Sequence, residues 1–102
     1  MAIVEVSIIP IGTKTTSVSK YVAKAVEVLR SEKDIKYELT SMGTIIEGDL
    51  EHLLTLVRKM HEVVFDAGVS RVVTTVKIDD RRDKTSSISG KVESVKSKLG
   101  HG

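Results

Sequence analysis

Seven runs of this sequence switch between two hydrophobic periods, and the order of the first six leaves few folds open. Ile3 to Pro10 alternates with period two: Val4, Val6 and Ile8 share one side, and Ile3, Glu5, Ser7 and Ile9 the other. From Val18 to Arg30 the apolar positions Val18, Tyr21, Val22, Ala25, Val26 and Leu29 recur at three and four, one face of a helix. Tyr37-Glu38-Leu39-Thr40 and Thr44-Ile45-Ile46-Glu47 are two short strand-like runs joined by Ser41-Met42-Gly43. Leu50, Leu53, Leu54, Val57, Met60, His61 and Val64 form a second helical stripe, and Arg71 to Ile78 alternates again. Ile88, Val92, Val95 and Leu99 give a terminal helix a narrow stripe. Strand, helix, strand, strand, helix, strand is the split βαβ pattern. It predicts an α+β, ferredoxin-like βαββαβ sandwich: a four-stranded antiparallel sheet in order 4-1-3-2, both long helices on one face, and an extra C-terminal helix.

The punctuation fits that reading. Pro10 removes a backbone donor and marks the end of the first strand. Thr16 or Ser17 is placed to cap the first helix, Asp49 the second, and Ser86 or Ser87 the third. Ala67-Gly68 closes the second helix, and the charged run from Asp79 to Lys84 reads as a solvated ion-pair turn. The glycine of Ser41-Met42-Gly43 suits a backbone position with positive φ.

At 102 residues the chain is long enough for one domain, spanning 1–102, with a two-layer core and little to spare. Aromatics are 3% of the residues, so Val, Ile and Leu must build that core. A net charge of +2 with both signs interspersed argues for neither nucleic acid nor a membrane surface as partner. No apolar run approaches the roughly 20 residues of a membrane span, and the N-terminus lacks the pattern of a signal peptide. With no cysteine there is no disulfide framework or thiolate chemistry, which fits a reducing, cytoplasmic setting.

Catalytic constellations are hard to find. The loop Gly12-Thr13-Lys14-Thr15-Thr16-Ser17 could hold an anion at a helix start, but it lacks P-loop spacing, and capping is the plainer reading. His61 lies in an apolar stripe without metal-ligand partners, and His52 and His101 are elsewhere. Asp79 and Asp80 point apart on an extended chain and have arginines nearby, so they do not make an acid/base pair. The two central strands lack the stacking aromatics of an RNA-recognition sheet. What remains is a set of hydrogen-bonding side chains on strands that otherwise want burial: Glu5, Ser7, Thr40, Thr44 and Glu47. Neighbouring carboxylates on a half-apolar sheet face call for a cation between them. A small cationic, partly aromatic ligand would serve, and so would Lys77 or Arg71 of an adjacent strand; the pattern leaves both open. Ile3, Ile9 and Val73 on the uncovered face, with the stripe of the last helix, predict a homo-oligomer.

The segments EVSIIPIGT, SVSKYVAKAV, YELTSMGTIIEG, VVFDAGVSRV and VKIDDRRDKTSSISGKVESVKSKL together resemble the small thiamine-binding protein family, formerly catalogued as conserved uncharacterised small proteins. The resemblance covers nearly the whole chain. It implies a ferredoxin-like domain that assembles through its sheets into dimers or tetramers in the cytoplasm. It also implies a non-catalytic role without a cofactor: binding thiamine, or its hydroxymethylpyrimidine moiety, in a pocket near the subunit interface. The matching polar positions it implies for ligand binding are Glu5, Ser7, Ser19, Tyr21, Thr40, Met42, Thr44 and Glu47, with Gly12 and Gly43 beside them. In that role a carboxylate would accept from the aminopyrimidine, hydroxyls would bond ring nitrogens, and Tyr21 or Met42 would cover a ring face. The alternatives are a structural or regulatory oligomer that recognises a protein through its sheet face or last helix, and an enzyme acting on a phosphorylated pyrimidine at the Gly12–Ser17 loop.

Overall fold

In the computed structural model the described residues are 1–14, 18–83 and 88–99, with side chains of the last helix described from Val92 onward. They form β1 (Ala2–Ile11), α1 (Ser19–Arg30), β2 (Lys36–Thr40), β3 (Gly43–Gly48), α2 (Leu50–Phe65), β4 (Arg71–Asp80) and α3 (Ile88–Leu99). The sheet is antiparallel with order β2-β3-β1-β4, the expected 4-1-3-2 read from the other edge.

The register fixes the faces. Val4 lies opposite Ile46 and Ile78, and Val6 opposite Thr44 and Val76, so these residues share one side with Tyr37, Leu39 and Thr74. Val4, Val6, Ile8 and Ile46 are buried there against Tyr21, Ala25 and Leu29 of α1 and Leu53, Leu56, Val57, Met60 and Val64 of α2. The helices do not cover the whole face: Val76 and Ile78 point to the helical side yet remain exposed near the end of β4. Within α2 the buried face is rotated slightly from the expected stripe, since Leu56 is buried and Leu54 exposed.

β1 runs further than expected. It pairs with β4 over ten positions, from Ala2–Asp80 to Ile11–Arg71, but with β3 over five, from Ala2–Gly48 to Val6–Thr44. Beyond Val6, β1 has a strand neighbour on one side only. That explains why Pro10 sits inside the strand, opposite Val72, instead of ending it: a proline is tolerated where a strand has become an edge. Asp79 and Asp80 belong to β4 rather than to the turn after it, and the expected ion pairs follow, Arg82 to Asp80 at 2.9 Å and Arg81 to Asp83 at 2.7 Å.

The N-cap of α1 differs from expectation. Val18 occupies the N-cap position of α1 and makes no side-chain cap bond; Thr16 and Ser17 lie outside the described residues, as do Ser86 and Ser87. Asp49 does cap α2, its carboxylate accepting from the His52 N–H at 3.3 Å. Gly68, at φ +96°, follows α2 with its N–H bonded to the Phe65 carbonyl.

Candidate ligand site

The unequal lengths of β1 and β3 create the most suggestive feature of the molecule. Where β3 stops pairing, the chain folds back through Ser41 and Met42 into β2, leaving a gap beside the second half of β1. The N-terminal half of α1 closes it from above. The result is a cleft of about 450 Å³. Val6 to Ile9 form its floor, Leu39 to Thr44 one wall, Val18, Ser19, Val22 and Ala25 the other, and Met60 of α2 its depth.

Because the cleft wraps a strand edge, it collects residues from both sheet faces. Val6, Ile8, Leu39 and Thr44 point to the helical side, while Ser7, Ile9, Thr40 and Gly43 point to the open one. Alternate residues of an antiparallel strand aim their backbone groups at each neighbour in turn. Past Val6 those on the β3 side of β1 therefore face the cleft instead of a ladder. The lining contains no Asp, Glu, Lys, Arg or His. It is an apolar slot edged with hydroxyls and backbone, the composition expected of a pocket for a small uncharged ring.

Ser7, Ser19, Thr40, Met42 and Thr44 are the sequence-nominated residues that the structure brings together here. Their hydroxyls are not equivalent. The Thr40 Oγ1 accepts from the Met42 and Gly43 N–H groups at 3.2 and 3.1 Å and donates to the Gly43 carbonyl at 3.0 Å. It therefore closes the turn. That bond set lets a two-residue connection form although neither Ser41 nor Met42 adopts the positive φ of the usual hairpin turns. Gly43, expected to need positive φ, does not have it; the positive-φ glycines among the described residues are Gly12 and Gly68. Gly43 is required for a different reason: a Cβ there would stand 2.8 Å from the Val6 carbonyl oxygen. Thr44, at 4% exposure, makes no hydrogen bond through its hydroxyl among the described residues. No described side-chain oxygen is both sealed and unpaired, so the Thr44 hydroxyl opens into the cleft.

The other nominated residues lie elsewhere. Glu5 and Glu47 are on the sheet face away from α1 and α2, Glu5 half-buried opposite Ile45 and Glu47 opposite Ile3; at this end the face is not uncovered as expected, since Glu47 is 5% exposed and Ile3 is buried. Each has a lysine for company: Lys77 Nζ is 4.0 Å from Glu5 Oε1, and Lys36 Nζ is 4.0 Å from Glu47 Oε1. Of the two ways to place a cation beside these carboxylates, the structure supplies lysines of the adjacent strands. Tyr21 is buried in the core, with Lys20 Nζ 5.0 Å from its ring centroid. His61 is half-buried, with Nδ1 2.6 Å from the Thr74 hydroxyl and its ring edge-on to Phe65. Among the described residues no group of three His, Asp or Glu side chains could hold a metal ion, and no helix is long and apolar enough to cross a membrane.

Sequence reasoning missed the apolar half of the lining. Val18, Val22 and Met60 were read as helical stripe, and Leu39 as part of a short strand. A signal was present nonetheless: an eight-residue first strand set beside a four-residue third strand must leave part of the first without a partner.

Fold and cleft together define a small ferredoxin-like α+β domain with a neutral, hydroxyl-edged slot at the broken edge of its sheet. The chain belongs to the thiamine-binding protein family, whose model matches residues 4–96. It is 50% identical to UPF0045 protein YqgV of Bacillus subtilis, over 97% of this chain and 98% of that one. The fold is that of a hypothetical protein of Methanocaldococcus jannaschii, with a TM-score of 0.84 and 46% identity over 92% of this chain and 94% of the other. A candidate thiamine biosynthesis/salvage protein of Thermotoga maritima shares the fold at a TM-score of 0.78 and 21% identity, over 92% of this chain and 97% of that one.

Proposed function

We propose that this protein binds thiamine, or its hydroxymethylpyrimidine moiety, without transforming it, and does so as a homo-oligomer. The observation that carries the reading is the cleft itself. Five polar or soft side chains nominated from the sequence converge on one slot of about 450 Å³, and Thr44 presents inside it a hydroxyl with no partner among the described residues. An aminopyrimidine is flat and uncharged, with hydrogen-bonding atoms around its rim. Apolar walls from Ile8, Val22, Leu39 and Met60 suit its faces, and the Thr44 hydroxyl and free β1 edge suit its rim. Met42, 79% exposed on the turn, is a flexible cover for a ring at the mouth. Membership of the thiamine-binding family and the fold shared with a candidate thiamine biosynthesis/salvage protein support the same ligand class. Glu5 and Glu47 lie outside the cleft lining, and Glu47 is buried at 5% exposure. The lining also lacks a nucleophile–base pair and any acid/base couple, in keeping with a carrier, sensor or salvage role.

Calorimetric titration with thiamine and with hydroxymethylpyrimidine tests the reading. Binding heat with one-to-one stoichiometry per chain is expected; absence of heat at millimolar ligand with folded protein rejects it.

A second reading, an oligomer that recognises a protein, draws on exposed apolar residues: Ile9 and Val73 on the open face, and Val92, Val95 and Leu99 along α3. These also suit self-assembly, which is how the first reading uses them.

A further inference from the structure

The main chain of β1 changes its partner halfway along the strand. Val6 pairs with Thr44, and its carbonyl oxygen is the atom that a Cβ on Gly43 would approach to 2.8 Å, so the Val6 backbone groups point toward β3. Alternate residues of a strand share that direction. The Ile8 N–H and carbonyl therefore point the same way, and the ladder with β4 falls to Ser7 and Ile9. Pro10 fits this alternation: the N–H it lacks would point away from β4, so it sits opposite Val72 without losing a ladder bond. If β3 continued, Met42 would lie opposite Ile8. Instead β3 begins at Gly43, and the Met42 N–H is taken by the Thr40 hydroxyl at 3.2 Å. No hydrogen bond among the described residues reaches the Ile8 main chain from that side.

The space beside Ile8 is the cleft, and Ile8 is part of its floor. A donor and an acceptor of one residue thus lie side by side in an apolar slot, where backbone groups left without a partner are costly. A flat ring in the plane of the sheet would fill the position of the missing rung. The surrounding side chains suit that pose: Val22, Leu39 and Met60 reach the slot from the helical side, Ser7 and Ile9 from the other. With no charged residue in the lining, the pattern of donors and acceptors is what can tell one ring from another.

We propose that the cleft selects its ligand through the main chain of Ile8, and that the ligand class is an amino-substituted nitrogen heteroaromatic. A ring nitrogen accepts from the Ile8 N–H, the neighbouring amino group donates to the Ile8 carbonyl, and the ring lies in the plane of the sheet as the next rung after the Val6–Thr44 pair. The Thr44 hydroxyl is left for a second atom of the rim. The inference rests on the small-molecule reading above and specifies which edge of the ring is read and by which residue.

Calorimetry with hydroxymethylpyrimidine and with the analogue carrying a methyl in place of the amino group tests it. The analogue keeps the shape and loses the donor, so it should bind about tenfold more weakly, the Ile8 carbonyl being left without a partner. Ile8→Pro removes the Ile8 N–H, and Pro10 shows that the strand accepts proline in this orientation. That variant should bind hydroxymethylpyrimidine about tenfold more weakly than Ile8→Val, which keeps the N–H and most of the side chain. In the parent protein the Ile8 amide proton should move downfield on binding, and further than those of Ser7 and Ile9. A methyl analogue that binds as tightly as hydroxymethylpyrimidine overturns the proposal and leaves the pyrimidine reading standing. Equal affinity of Ile8→Pro and Ile8→Val, or an Ile8 amide that does not move, has the same consequence. Should Ile8→Pro fail to fold, the analogue and the amide shift decide. Failure of hydroxymethylpyrimidine itself to bind removes both readings.

Discussion

Gly43 lies so close to the carbonyl oxygen of Val6 that a Cβ at this position would approach it to 2.8 Å. The contact is backbone on the Val6 side, so no flexible side-chain end can move aside to relieve it. It sits where β1 and β3 part, and it sets how narrowly the cleft begins. Gly43→Ala should therefore cost about 1–3 kcal/mol of stability, as overpacking does. It should also weaken any cleft ligand more than a change of similar stability elsewhere. Denaturant melts with a parallel ligand titration check both.

Thr40 and Thr44 are four residues apart and make opposite predictions. The Thr40 hydroxyl closes the turn with three hydrogen bonds, so Thr40→Val should destabilise the fold by about 1–2 kcal/mol. Among the described residues the Thr44 hydroxyl has no hydrogen-bond partner to lose, so Thr44→Val should leave stability within about 0.5 kcal/mol of the parent or raise it. Its cost should fall on ligand affinity, about fivefold, from one lost hydrogen bond. Thermal melts and calorimetry of the two variants separate the roles.

The His61–Thr74 bond ties α2 to β4 at a point where the helical layer begins to leave the strand uncovered. Thr74→Val should cost about 1 kcal/mol by leaving a half-buried ring nitrogen without its partner. Ligand binding should be unaffected, since neither residue lines the cleft. Equilibrium unfolding followed by circular dichroism measures the first, and titration the second.

Much of the architecture could be read from periodicity because burial imposes it. Val4, Val6, Ile8 and Ile46 alternate, Tyr21, Ala25 and Leu29 repeat at four, and these residues are the core. The polar side of the cleft was legible too, since Thr44 is a hydroxyl in a run that otherwise calls for burial. Its depth was not, because Met60 and Val22 satisfy a helical stripe whether they meet another core residue or an open slot. Which of Glu5 and Ser7 reaches the cleft depends on where β3 stops pairing with β1. That endpoint is set by the Gly43–Val6 approach and the Thr40-closed turn, three-dimensional facts that no spacing along β1 encodes.

Exposed apolar surface supplies a fourth prediction. Ile9 and Val73, neighbours across β1 and β4 on the open face, are 47% and 43% exposed, and Leu99 at the end of α3 is 74% exposed. Val73→Glu and Leu99→Glu should leave the monomer's melting temperature nearly unchanged, since neither side chain is buried. If the homo-oligomer forms through these surfaces, light scattering should report a smaller particle for at least one of them.

The account as a whole turns on where a ligand sits, and backbone amide shifts report that directly. In a titration of 15N-labelled protein with hydroxymethylpyrimidine, the account predicts perturbations concentrated at Ser7 to Ile9, Ser19 to Val22 and Thr40 to Thr44. Shifts confined to Glu5, Glu47 and Lys77 on the sheet face away from α1 and α2, or no shifts at millimolar ligand, would contradict it.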